Sequence, residues 1–388
     1  MNKELINKIK TEFEYKFTQH PLLVRSPGRI NLIGEHTDYN MGLVLPATID
    51  KCIIIALAKS NKNISKIYSI DFNESLEIDF NNIGKQEVGS WKNYIIGVIS
   101  GILNKSAKIE NFNLVFGGNI PIGAGLSSSA ALENGVVYGL NKLFNLGLNK
   151  SEIMNISIAA EHNFAGVNCG VMDQFSNLHG KSENAIFLDC YDLSFQYVSL
   201  QLDNYQFLLI NTNVKHQLNN SPYNQRKLDC ETGLQILQIK FPQLNSLSNT
   251  DLGQLNSVKE KLSTKVYNRC LYVIEENERV KSSKIALENN DLQSFGDLLF
   301  ASHKGLSSLY EVSCPELDFL VDLAKKDTSV IGSRMMGGGF GGCTINLIKK
   351  DKIDNFINKA ESEYQHKFGL SISTYPVNIS DGTQIIKL

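Results

Sequence analysis

A chain of 388 residues with one tryptophan, no C-x-x-C pair and no uncharged apolar run of about 18 residues is defined first by what it cannot be. Without such a run, no segment is expected to span a membrane. The opening segment, MNKELINKIKTEFEYKF, carries charges throughout and so lacks the apolar stretch of a signal peptide. The seven cysteines (Cys52, Cys169, Cys190, Cys230, Cys270, Cys314 and Cys343) are odd in number and scattered. That pattern points to free thiols in a reducing compartment and away from a zinc site, so a cytoplasmic protein is expected. A formal net charge of -2 supplies no broad field for nucleic acid or an anionic membrane. Two familiar phosphate loops are missing as well. No lysine stands between Gly123 and Ser129, where a Walker A loop requires one, and Ser128 replaces the third glycine of a dinucleotide fingerprint.

What remains is an ordinary globular composition, 42% hydrophobic and 20% charged, long enough for about two to three domains. Its organising stretch is PIGAGLSSSAALE, Pro121 to Glu133. A strand-like run (Phe112, Leu114, Val115, Phe116) precedes it and helix formers follow, so the pattern reads as strand, glycine turn, helix N-terminus. Such a turn aims backbone N–H groups and a helix dipole at one point, which suits a phosphate. Gly123 and Gly125 permit close approach, while Ser127, Ser128 and Ser129 offer hydroxyls to phosphate or a hard cation. Taken alone, a glycine turn feeding an ordinary helix fits the segment equally well.

Other segments stand out in the same way. Residues 2–18 read as an amphipathic helix. SPGRINLIGEHTDYNMGLVLPATID, Ser26 to Asp50, gathers Arg29, Glu35, His36, Asp38 and Tyr39 among glycines and short apolar runs, either as a site or as a solvated turn. A strand is expected in IYSIDF (Ile67–Phe72), and Trp91 opens an apolar helix in which packing is its simplest role. Asn149 with Glu152 forms a capping-box pattern, and Gly166 is a stop for the helix between them. Glu161 falls in that helix's last turn, where the dipole disfavours a carboxylate; it needs a cation or else is solvated. Asp173 lies among Val171, Met172 and Phe175, and burial there would demand a cation such as Arg29. After Asp192 short strands give way to a polar segment, SPYNQRKLDCETGLQILQI, and connectors to about Lys259, before helical patterns resume. Pro315 marks the first turn of a further helix. SRMMGGGFGGCTINLI, Ser333 to Ile348, packs five glycines into six positions, for close backbone approach or as a flexible connection.

Together these segments resemble the galactokinases of the GHMP small-molecule kinases. GRINLIGEHTDYNMG (Gly28–Gly42) is similar to the galactokinase signature, PIGAGLSSSAALE to the superfamily phosphate loop and MMGGGFGGCTI to its third motif. WKNYIIGV, AAEHNFAG, CGVMDQF and SCPELD extend the likeness over most of the chain. The resemblance implies a two-domain α+β GHMP kinase fold with the active site in the interdomain cleft. Residues 1–200 would carry the sugar signature and phosphate loop, and residues 201–388 the third motif. It also implies ATP-dependent phosphorylation of galactose at its anomeric hydroxyl, feeding galactose catabolism (the Leloir pathway), by a monomer without nucleic-acid or membrane partners. Asp173 would be the base and Arg29 the transition-state arginine. Glu35, His36, Thr37, Asp38, Gly170 and Tyr223 would meet the sugar. Gly123, Ala124, Gly125, Leu126, Ser127, Ser128 and Ser129 would wrap the ATP phosphates, with Ser69, Trp91 and Tyr94 around the nucleotide. Ser129 and Glu161 would coordinate Mg²⁺. Three rivals are a kinase for another sugar such as N-acetylgalactosamine, a non-enzymatic galactose sensor and a structural protein. Ser129, Ala130 and Ala131 follow the catalytic pattern and weigh against the sensor.

Overall fold

Alternation explains why CIIIALA is apolar throughout: successive side chains point to opposite faces of a sheet that is covered on both sides. The chain is described from a computed structural model covering residues 2–105, 108–121, 123–167, 169–214 and 221–387. Its strands begin with β1 (Leu22–Asn31), β2 (Leu43–Val44), β3 (Pro46–Lys59), β4 (Ser65–Ser69), β5 (Glu74–Ile78), β6 (Phe112–Gly118) and β7 (Asn184–Asp189). They continue with β8 (Phe195–Ser199), β9 (Tyr205–Asn211), β10 (Val330–Met336), β11 (Cys343–Lys349), β12 (Ser373–Val377) and β13 (Gln384–Ile385). The helices are α1 (Lys3–Phe17), α2 (Lys92–Asn104), α3 (Ser128–Phe144), α4 (Lys150–Ala160), α5 (Met172–His179) and α6 (Ser221–Lys240). After them come α7 (Leu252–Asn256), α8 (Thr264–Glu288), α9 (Leu292–Ser308), α10 (Pro315–Lys325) and α11 (Ile353–Phe368).

The first sheet runs β13-β1-β3-β6-β4-β5, antiparallel except for the β4–β6 pair. One face buries Leu23, Ile54, Ala56 and Val115 against Ile6, Ile9 and Phe13 of α1. The other face carries Val24, Ile55, Leu57 and Leu114 into the main core, beneath α2, α3 and α4. α3 lies close because it has glycine where it crosses: a Cβ on Gly135 would come within 2.6 Å of Ile55 and 2.8 Å of Ser26. The second sheet, β10-β11-β9-β12, is covered on one side by α10 and α11, whose Leu320, Ala324, Phe356 and Tyr364 meet Leu208, Ile210 and Ile348. A third, small sheet is ordered β2-β7-β8. The chain then returns to its start, since β13 pairs Ile385 with Val24.

Several local expectations hold. α1 is capped by Asn2, the Asn149–Glu152 capping box is complete, Gly166 (φ +79°) ends the turn after α4, and Pro315 opens α10. Two do not. β4 ends at Ser69, so Ile70–Phe72 is a turn, and the polar segment after residue 220 is helix α6. That helix exposes Leu228 and Ile239 while burying Arg226 and Asp229, so its apolar residues do not fall on one face.

Candidate active site

Arg29 lies at the end of β1, where the pairing with β3 shifts register between Pro27 and Arg29. Gly28 sits in that irregularity, and a Cβ there would lie 2.8 Å from the Leu126 carbonyl. The close approach lets the Arg29 N–H donate to Leu126 O at 3.2 Å, tying the strand to the glycine–serine turn. From this anchor the Arg29 guanidinium forks onto Asp173, with Nε to Oδ1 at 2.8 Å and Nη2 to Oδ2 at 2.9 Å. Its Nη1 donates to the Gly125 carbonyl at 2.7 Å. The Ser127 hydroxyl donates to Asp173 Oδ2 at 2.5 Å. Burial alone lowers the Arg29 pKa, but the Asp173 carboxylate, helped by Glu35 and Asp38, more than offsets it and holds the guanidinium above its ordinary value.

The turn has the shape its glycines predict. Gly123, Gly125 and Ser127 all have positive φ (+74°, +70° and +57°). Ser127 precedes α3 without capping it, because its side chain is engaged by Asp173. The first N–H groups of α3 are therefore left facing the turn, as an anion requires.

Behind the turn lies a group of buried acids. Glu161 occupies a π-helical turn (Glu161–Ala165) that continues α4, and it is 5% exposed. It accepts from Ser129 Oγ at 3.0 Å and from Gln174 Nε2 at 2.6 Å. Burial first, and the Asp173 charge second, push its pKa up. Glu133, one turn after Ser129 on α3, is fully buried, and neither carboxylate oxygen has a partner among the described residues. Sequence reading missed Glu133. The available signal was a lone charge inside the apolar run AALENGVV.

The signature residues converge on the other side of Arg29. Glu35 is 3% exposed and its Oε1 accepts from Arg334, at 3.2 Å to Nη2, and from the Gly337 N–H at 2.8 Å. Its Oε2 accepts from Asn31 at 3.2 Å. Arg334 was also missed: it is fully buried and spends its remaining donors on the Asn31, Leu32 and Met335 carbonyls. Burial, followed by the like charge of Asp173, pushes the Asp38 carboxyl up to about 7. Gly170 makes room for it, since a Cβ there would sit 2.0 Å from Asp38 Oδ2. Burial and the Arg226 charge push His36 down to about 3, so its imidazole is neutral. The half-buried Tyr223 ring stands 5.5 Å from the His36 ring. Thr37 is turned away, its hydroxyl donating to the Gly34 and Leu43 carbonyls at 2.8 and 2.7 Å.

A cavity of about 760 Å³ adjoins Ser128 and Ser129, with Trp91, Tyr94, Phe72 and Leu132 in its wall. Trp91 lies nearly parallel to Phe72 and gives its indole N–H to Glu74 at 3.2 Å. Burial, then the Glu161 and Glu133 charges, push Tyr94 up to about 12. Ser69 is fully buried at the end of β4 and accepts from the Phe72 N–H at 3.4 Å, supporting the turn beneath the cavity instead of lining it.

Comparison with known proteins gives the same picture over the whole length. The "Galactokinase galactose-binding signature" family model matches residues 11–59, the "GHMP kinases N terminal domain" residues 93–181 and the "GHMP kinases C terminal" residues 283–366. Galactokinase of Thermosipho africanus is 43% identical over 364 residues, covering 94% of this chain and 99% of that protein. Galactokinase of Clostridium acetobutylicum is 41% identical over 390 residues, covering 99% and 100%. The crystal structure of Lactococcus lactis galactokinase complexed with galactose superposes with a TM-score of 0.93 at 34% identity, covering 98% and 99% of the two chains. Methanococcus jannaschii mevalonate kinase shares the fold alone, at a TM-score of 0.67 and 17% identity, covering 93% and 99%. The α+β GHMP architecture and the resemblance of its motifs therefore agree: this chain belongs to the galactokinase family of the GHMP kinases.

Proposed function

We propose that this chain transfers the terminal phosphoryl group of ATP to the anomeric C1 hydroxyl of α-D-galactose, giving galactose 1-phosphate and ADP. The observation that carries the reading is the Arg29–Asp173 fork set against the turn at Gly125 and Ser127. Phosphoryl transfer depends mostly on positioning and charge stabilisation through a loose transition state. Asp173 is the base. Its carboxylate has about four acceptor positions, and three are filled, one on Oδ1 and two on Oδ2. The position left on Oδ1 receives the hydroxyl proton. A free Asp titrates at ~3.9, far below a sugar hydroxyl, so early deprotonation would cost several kcal/mol and the proton moves late, as the P–O bond forms. Arg29 fixes the direction of the Asp173 carboxylate and neutralises charge growing on the transferred group. Glu35, Asp38, His36 and Tyr223 hold the sugar, and the glycine–serine turn and the adjoining cavity hold ATP.

Ser129 Oγ and the Glu161 carboxylate, 3.0 Å apart beside the turn, are hard oxygen donors of the kind Mg²⁺ takes. Among the described residues no cluster of three or more acidic, histidine or cysteine side chains could hold a metal, so Ser129 and Glu161 are the residues that would hold the ion. When bound, Mg²⁺ would neutralise phosphate charge. The seven cysteines are free, which supports a reducing, cytoplasmic setting. No helix among the described residues is long and apolar enough to cross a membrane.

The test is ADP release with ATP, Mg²⁺ and a panel of hexoses that includes N-acetylgalactosamine, with the product examined by phosphorus NMR. Galactose should give the highest kcat/KM and a phosphate on C1. Turnover confined to another sugar, or none at all, would refute the assignment.

A further inference from the structure

The aromatic residues behind His36 form an ordered row of hydrogen bonds. His36 itself has φ +61°, a left-handed backbone that few residues with a Cβ adopt, and is 4% exposed, so its ring direction is imposed. Its Nδ1 lies 2.7 Å from the Tyr39 hydroxyl, which lies 2.9 Å from the Tyr310 hydroxyl, which in turn lies 3.3 Å from the Cys230 thiol. The other ring nitrogen, Nε2, is buried with no partner among the described residues.

Each link carries one proton, so the row runs in one of two directions. Outward, Nδ1–H would donate to Tyr39, and the last phenol proton would fall on a thiol sulfur, a weak acceptor. Inward, Tyr310 donates to Tyr39 and Tyr39 donates to Nδ1, the most basic atom in the row. Only the inward direction matches good donors with good acceptors. Tyr310 is also firmly held: Arg226 donates to the Tyr310 and Glu311 carbonyls at 2.7 Å each, and buried Arg269 donates to the Leu309 carbonyl. Tyr272 packs on it at 4.6 Å between ring centres.

We propose that Tyr310, acting through Tyr39, locks His36 in its Nε2–H tautomer, so that His36 gives a hydrogen bond to a sugar oxygen. Tyr310 is thus a positioning residue for the sugar, and its role rests on the reading of His36 as a sugar ligand. The donor at Nε2 complements the neighbouring carboxylates of Glu35 and Asp38, which when ionised only accept. Between them they suit a hydroxyl that donates to one and accepts from the other.

Two-bond proton–nitrogen correlation on ¹⁵N-histidine protein, free and saturated with galactose, reads the tautomer directly, with His36 assigned by its loss in His36→Gln. A pyrrole-like Nε2 and a pyridine-like Nδ1 are expected in the native chain. Tyr310→Phe should mix the tautomers and raise the galactose KM by about three- to tenfold with the ATP KM unchanged. In a His36→Gln background, which has no ring tautomer to lock, the galactose KM should no longer respond to Tyr310→Phe. A pyrrole-like Nδ1 in the native chain overturns the proposal, and so does Tyr310→Phe with both tautomer and galactose KM unchanged. An unchanged galactose KM in His36→Ala would instead remove the sugar-ligand reading, which separates the two failures.

Discussion

A carboxylate that is to take a proton from a sugar must keep an acceptor position open and stand beside a positive charge, and Asp173 does both. Replacing it by Asn keeps the shape and removes the base, so kcat should fall by roughly 10²–10⁴ in steady-state assays. Near-native turnover would exclude proton acceptance at this atom. Arg29→Lys keeps the charge but breaks a fork that spans Asp173 and the Gly125 carbonyl, and a loss of at least about tenfold in kcat is expected. Asp38 gives the pH dependence. Its carboxyl, pushed up to about 7, lies above the ordinary ~3.9, so the native state binds more protons than the unfolded chain between about pH 4 and 7. Stability therefore falls as pH rises through that window, while kcat/KM for galactose rises as the carboxylate needed by a sugar hydroxyl forms near pH 7. Asp38→Asn should flatten the stability slope and raise the galactose KM by about tenfold or more, which denaturation and kinetics across pH 5–9 will check. A galactose kcat/KM of the native chain that stays flat from pH 5 to 9 would place Asp38 outside the sugar site.

At the scale of elements, close approach through glycine is the recurring device. α9 and β10 touch at Gly296 and Gly332, where a Cβ on Gly296 would meet the Ile331 carbonyl at 2.0 Å. Backbone cannot step aside as a side chain can, so Gly296→Ala should destabilise the protein by about 1–3 kcal/mol or more in chemical denaturation, far from any ligand. An unchanged midpoint would mean that the helix rides further from the sheet. Contacts of this kind explain what could be read in advance. α1, the capping box at Asn149 and the glycine–serine turn are local patterns, and each was legible because its cause lies within a few residues. α6 was not, because tertiary pairing makes Arg226 and Asp229 buried residues while Leu228 stays 52% exposed, which erases the helical stripe. The pairing of Arg29 with Asp173 was legible as a need for a cation with Arg29 as a candidate, though not as a two-pronged fork. Arg334 was invisible, since its partners Asn31, Leu32 and Glu35 lie at the other end of the sequence.

Arg334 joins stretches that lie about 300 residues apart in sequence. From β10 it reaches into the loop after β1, and the glycine-rich turn beyond it adds the Gly337 N–H to the same Glu35 oxygen. α8 grips that loop from another side, through Glu276 accepting from the Gly34 N–H at 2.9 Å and the Tyr272 hydroxyl donating to the Glu35 carbonyl at 3.0 Å. The sugar signature is thus set as much by the C-terminal elements as by its own strand. Removing one member of a fully buried ion pair leaves the other charge without compensation, at about 3–5 kcal/mol. Arg334→Met should therefore lose roughly that much in denaturant unfolding. Because Glu35 also loses its direction, the galactose KM should rise well before the ATP KM does. Pairing the change with Glu35→Gln removes the stranded charge, so the double variant should recover part of the stability without recovering galactose affinity. Additive losses in stability would mean that the two side chains act independently, and the third motif would then be a lid over the sugar instead of its frame.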